Sequence, residues 1–272
     1  MRSLAALLTT SLFSACTSMV MAEPRILVSP YLAVYQLHGK VAMQSQPTPG
    51  GPLQDNAQQP MRTFGQEHHH EDVGVRADIG DGFAGFRVDY YKIDVGTSHN
   101  GFLTADWGNM QQGDLVSMQV DGDELRIGYL EPLLHVRSTW RERPLSLQFA
   151  AGGVLAHRDI NLHARADNSL SRQNVGIGGD VLYPAVRFQA SWRDLAFDVD
   201  FALSPEIVLS GDFDGTQQDL EVRASYTLAM RDVTFFAGYR YSEFPAKGKA
   251  FGFAYDADLG LDGFQFGITV TF

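Results

Sequence analysis

Phe264-Gln265-Phe266-Gly267-Ile268-Thr269-Val270-Thr271-Phe272 is the stretch whose reading decides the fold. Apolar side chains fill 264, 266, 268, 270 and 272, and Gln, Gly, Thr and Thr fill the gaps. Side chains of an extended chain point alternately to opposite faces, so this period of two describes a strand with one greasy and one polar face. The greasy face is continuous and aromatic through Phe272.

The pattern resembles the C-terminal strand of bacterial outer-membrane β-barrel proteins, in which a terminal Phe preceded by alternating apolar residues is read by the assembly machinery. On that resemblance Phe264, Phe266, Ile268, Val270 and Phe272 are the assembly signal. It implies an all-β fold, a single transmembrane antiparallel up-and-down barrel of the cell outer membrane, in contact with lipid and lipopolysaccharide. It fits porin-like outer-membrane proteins in general, with no narrower family assigned.

The other end agrees. Met1-Arg2 is basic, Leu4 to Phe13 is mostly apolar, and Val20-Met21-Ala22 suits a signal peptidase, so 1–22 reads as a cleaved export signal. Phe13-Ser14-Ala15-Cys16 offers lipoprotein cleavage as the alternative. Cys16 is the only cysteine, so cleavage after Ala22 leaves none, and stability must come from the backbone ladder and packing. The mature chain, 272 minus 22 or 250 residues, loses Arg2 and moves from −11 to −12, which argues against nucleic acid as a partner. No run of 18 apolar residues follows the signal, so helical spanning is excluded. A strand-built membrane protein shows no such run, because half of each strand faces the lumen.

Ten alternating segments are legible: 25–38, 72–79, 83–93, 124–139, 145–157, 179–192, 195–207, 218–230, 233–244 and 264–272. Their connections alternate long and short. Residues 39–71 and 94–123 read as long external loops, the first mobile and rich in Gln, Pro and Gly; 158–178, 208–217 and 245–261 read as the others. Gly80-Asp81-Gly82, Arg193-Asp194 and Arg231-Asp232 read as tight periplasmic turns. Pro132 sits where the fourth segment changes phase, as a β-bulge requires. Nothing obliges a soluble sandwich to keep every second connection short, so loop order favours a barrel over 23–272 with both termini periplasmic. Trp140 and Trp192 border short turns and Tyr239, Tyr241 and Phe244 border a long loop, where aromatic girdles belong.

A charge facing lipid near the midplane costs about 2–4 kcal/mol, so the polar faces must line the lumen. They supply Arg76, Asp78, Arg87, Asp89, Arg126, Arg187, Asp198, Asp200, Glu221, Arg223 and Arg240, with His135 and Arg137 joining after the bulge. Ten strands enclose little more than eight, which side chains nearly fill. Segregated charges would give a porin-like channel for small polar solutes, leaning towards anions because Arg outnumbers the acids. Interlocked charges would give a closed scaffold working through loop-mediated adhesion or metal binding.

His68, His69, His70 and Glu71, after Glu67, offer imidazole and carboxylate ligands for a divalent metal; the alternative is a solvated loop. No cofactor motif is present. Omptin proteases also have ten strands with rim Asp and His, and Asp94 with His99 or His157 with Asp159 would sit near strand ends here. Neither segment matches a catalytic motif. Barrel lipid A deacylases use a His-Ser pair near the C-terminus, and no His lies in the last hundred residues. The expectation is therefore a protein that is not an enzyme, with an outer-membrane hydrolase as the third reading.

Overall fold

A chain crossing a bilayer must satisfy every backbone donor and acceptor internally, and strands achieve this only by closing into a ring. The computed structural model describes Arg25 to Phe272 except positions 67, 97–98, 141–142, 206 and 229–231. The expected signal segment, Glu67 and part of the last short turn lie outside the described residues. In order come β1 (Arg25–Met43), β2 (Gln59–Pro60), a 3-10 turn (Met61–Phe64), β3 (His70–Gly80), β4 (Gly85–Val95) and β5 (Gly101–Phe102). Then follow β6 (Leu115–Trp140), β7 (Arg143–Ala166), β8 (Arg172–Trp192), β9 (Leu195–Ser204), β10 (Val208–Gly211), β11 (Gln217–Thr227), β12 (Val233–Ala250) and β13 (Phe253–Thr271).

Ten of these form one closed antiparallel ring, β1-β3-β4-β6-β7-β8-β9-β11-β12-β13, and β13 returns to β1. β2, β5 and β10 are short additions at the external end. The closing seam pairs Leu27 with Thr271 at one end and Met43 with Tyr255 at the other. Pro132 marks a register shift between β6 and β7, with Leu133 unpaired. Nearby, Glu131 is an outward carboxylate that accepts the Tyr129 hydroxyl.

The walls change polarity part-way up, within single unbroken strands on β6, β7, β8, β12 and β13. On β7 the outward row reads Leu145, Leu147, Phe149, Ala151, Gly153, Leu155, then His157, Asp159, Asn161, His163, Arg165. Its inward row becomes Arg158 and then the buried Ile160, Leu162, Ala164 and Ala166. β13 mirrors this: outward Asp256, Asp258 and Asp262 give way to Phe264, Phe266, Ile268 and Val270, while inward Tyr255, Ala257, Leu259 and Leu261 are buried. The lower part therefore meets lipid outside and charge inside; the upper part is an ordinary water-soluble barrel with an apolar core. On β8 the greasy row runs from Leu182 to Trp192, ten steps of about 3.3 Å, or about 25 Å of height once tilted by about 40°.

This inversion corrects several sequence boundaries. Above the lipid the alternation continues with opposite sign, so 158–166 belongs to β7, 172–178 to β8, 245–250 to β12 and 253–261 to β13. The β12–β13 connection is only Phe251-Gly252, and the long connections shrink to 44–69 and 96–114, which also carry β2, β5 and the 3-10 turn. Trp140 and Trp192 do meet at the periplasmic edge, ring centroids 5.5 Å apart. Tyr239 and Tyr241 face outward, but Phe244 has the other parity and lies buried inside.

Candidate functional site

The lower inner wall must hold its charges without bulk water, which requires partners of opposite sign. All eleven lumen residues read from the sequence point inward, and Glu124, Arg158 and Asp219 join them. Arg76 grips Glu221 through both terminal nitrogens at 2.8 and 2.7 Å and reaches Asp89 at 3.1 Å. Arg240 links Asp89, Asp219 at 3.2 Å and Glu124 at 3.1 Å; Arg126 joins Glu124 to Asp219 at 2.7 Å, and Arg158 closes on Glu124. A second chain runs Asp78, Arg87, Asp200, Arg187, with Arg87 2.8 Å from Asp200, and Arg187 donates to the Phe83 carbonyl at 2.6 Å. Arg223 and Asp198 form a looser pair at 3.4 Å.

Seven arginines and seven carboxylates thus interlock among the described residues, so the expected lean towards anions disappears. Arg158 lies 4.2 Å over the Phe244 ring and Arg240 4.6 Å over Tyr91, filling space the ion pairs leave. About 60 Å³ remains among Arg76, Arg87, Arg126, Arg187 and their acids, room for a few waters and no solute.

Above this lock sits an apolar stopper. Met61 and Phe64 of the 3-10 turn pack with Leu103, Trp107 and Met110, all fully buried, and the Phe64 and Trp107 rings meet at 5.2 Å. Gln66 donates to the Met118 carbonyl of β6, and the Thr104 hydroxyl donates to Gln59 at 2.7 Å, tying both long connections into the mouth. The stretch 59–66, expected to be mobile, is therefore part of the core. Its sequence signal was two apolar residues, Met61 and Phe64, diluted among Gln and Pro, whereas Leu53, earlier in the same connection, stays exposed.

Outside, cross-strand pairs decorate the soluble part: His157 Nδ1 with Asp180 at 2.9 Å, His163 with Asp121 at 2.9 Å, and His38 with Asp262 at 3.0 Å. Ser210 donates to Asp180 at 2.6 Å, and this bond, with His157, holds the Asp180 carboxyl below the usual carboxylate range. The expected metal set does not converge: His70 faces the interior and Glu71 the exterior, while the His68 ring lies beside that of His99, centroids 6.0 Å apart and planes tilted by 51°. No group of three metal-type ligands occurs among the described residues. Of the rim residues, His157 engages Asp180, and Asp94 projects outward opposite Asp121. His135 and Arg137 meet each other and Ser146 at the periplasmic end.

The chain is similar to the outer-membrane protease OmpT of Escherichia coli, with a TM-score of 0.52, 11% identity, and coverage of 94% of this chain and 99% of that one. It also aligns with Ail, the attachment invasion locus protein of Yersinia pestis, at TM-score 0.28 and 8% identity over 90% and 100% of the two chains. The Pseudomonas putida toluene transporter TodX gives TM-score 0.28 and 8% identity over 89% of each. No family model matches the sequence, and no curated protein matches it. The likeness to OmpT is one of fold alone, and it coincides with the ten-strand ring, the lipid-facing belt and the charged lumen already described. The chain is a ten-stranded transmembrane β-barrel of the bacterial outer-membrane type.

Proposed function

We propose that this barrel is a closed scaffold that works by binding through its external crown, without turnover and without conducting solutes. The observation that carries the reading is the pair of barriers in series, the arginine–carboxylate lock at membrane level and the Phe64–Trp107 stopper above it. The crown in turn presents apolar side chains to water at strand tips, Phe102, Leu170 and Phe251, the last two 83% and 77% exposed. Leu170 and Phe251 also hold left-handed backbone (φ 58° and 53°), a position that favours Gly or Asn. A side chain kept where it costs both strain and exposure supports a contact surface.

The second reading is a narrow gated pore, favoured by a polar cavity of about 220 Å³ below the lock, against the turn at Asp81-Gly82-Phe83. Planar-bilayer recording of the refolded protein separates the two. The expected result is a membrane without discrete current steps; steady single-channel steps that follow solute size would overturn the closed reading.

A further inference from the structure

Trp192 ends the outward apolar row of β8 at the periplasmic edge, and in register beside it stand Leu145 of β7 and Leu195 of β9. Trp140, at the foot of β6, meets its ring. Two guanidiniums lie over that ring: Arg193 with its central carbon 5.5 Å from the ring centroid, and Arg143, the register partner of Trp140, at 5.9 Å. The lumen arginines all engage carboxylates. These two engage none: among the described residues neither makes an ion pair or a side-chain hydrogen bond, although Asp194 follows Arg193 in the chain.

Arg193 also holds left-handed backbone (φ 59°) in the two-residue turn between Trp192 and Leu195, where Asn or Gly costs less. Strain kept for a charged side chain that pairs with nothing in the protein points to a ligand outside it. A guanidinium over an indole face keeps its N–H edge free, and that edge matches two phosphate oxygens. Indole rings themselves belong at the headgroup level of a bilayer. Leu195 and Arg193 are both exposed, so headgroup and apolar wall are reached from the same side.

We propose that this corner is a headgroup site for an anionic glycerophospholipid of the periplasmic leaflet. Arg143 and Arg193 hold the phosphodiester, Trp140 and Trp192 lie beside the glycerol, and the acyl chains run up the outward rows over Leu147, Phe188 and Phe197, wholly outside the barrel. The occupant follows from charge and position. Two positive charges without a protein counter-ion favour a headgroup of net negative charge over a zwitterion, whose own ammonium they repel. The apolar row that begins at the same level accepts the chains that a free phosphate lacks.

The test places the refolded full chain in phosphatidylcholine vesicles and reads tryptophan fluorescence as phosphatidylglycerol with brominated acyl chains is added. Trp107, fully buried in the stopper, supplies a constant background, so quenching reports on Trp140 and Trp192. Brominated phosphatidylglycerol is expected to quench more than brominated phosphatidylcholine at the same fraction, and inorganic phosphate should not relieve the quenching. Arg193→Asn should lower the preference about fivefold, about 1 kcal/mol; Asn suits the left-handed turn, so the fold is kept. Arg143→Gln should act alike, while Arg25→Gln, elsewhere on the periplasmic rim, should leave the preference unchanged. Equal quenching by the two lipids, relief by inorganic phosphate, indifference to Arg193→Asn, or an equal loss with Arg25→Gln would overturn the proposal.

Discussion

Arg76 shows what a buried charge does in this barrel: it is held on both sides, by Glu221 through two nitrogens and by Asp89 through one. Removing one partner of such a set leaves an uncompensated charge, which costs about 3–5 kcal/mol. Arg76→Met should lower stability by that amount in urea titrations of the vesicle-inserted protein, and adding Glu221→Gln should return part of the loss. Asp180 behaves differently, being exposed and bound by Ser210 and His157. Its folded carboxyl titrates below the ordinary range, so what these contacts contribute is present above the unfolded carboxyl's titration and is lost as pH falls through the folded one. Ser210→Ala, which removes the larger cause, should move the Asp180 titration upward when followed by NMR. A downward shift would contradict the assignment.

The strand is the scale at which one side-chain period serves two solvents. Phe201→Arg, on the outward row of β9, should cost about 2–4 kcal/mol, whereas Asn161→Arg, above the belt on β7, should change stability by less than about 0.5 kcal/mol. Unfolding of both variants in one lipid checks the contrast. Phe251→Asn should stabilise the β12–β13 hairpin by about 1 kcal/mol, since it relieves a left-handed aromatic residue and restores a favoured turn pair with Gly252. A thermal midpoint that rises would show that Phe251 is kept for contact and not for folding.

The same inversion explains what was legible in the sequence. Phe264 to Phe272 and the ten membrane-level segments could be read because a greasy row beside a charged row has one interpretation in lipid. Arg158 to Ala166 and Phe253 to Leu261 alternate just as regularly, but with apolar residues in the phase that had carried charge, so they read as connections. Arg158 fell in one of these and was missed. Phe244 was misplaced for the same reason. Asp219 shares the parity of Glu221 and was available; Glu124 stood at a strand start whose upward continuation was hidden. Which arginine meets which acid depends on azimuth and stagger, and spacing along one strand encodes neither.

At the scale of the whole molecule, closure is achieved twice by unlike chemistry, charges held in low dielectric and rings excluded from water. The barriers are independent, so relieving one should not open the barrel. Phe64→Ala with Trp107→Ala should remain silent in planar bilayers, and current should emerge only when Arg126→Ala and Arg240→Ala are added. Current from the aromatic double variant alone would make the stopper the sole seal.

The change of polarity within unbroken strands gives the molecule a fixed waterline. Raising the barrel by one pair of residues would expose Leu182 and Phe264 to solution, and sinking the barrel by one pair would press Asp180 and Asp262 against hydrocarbon. A bilayer of unsuitable thickness must therefore deform to meet the barrel, so the protein acts as a gauge that imposes its own hydrophobic height on the lipids around it.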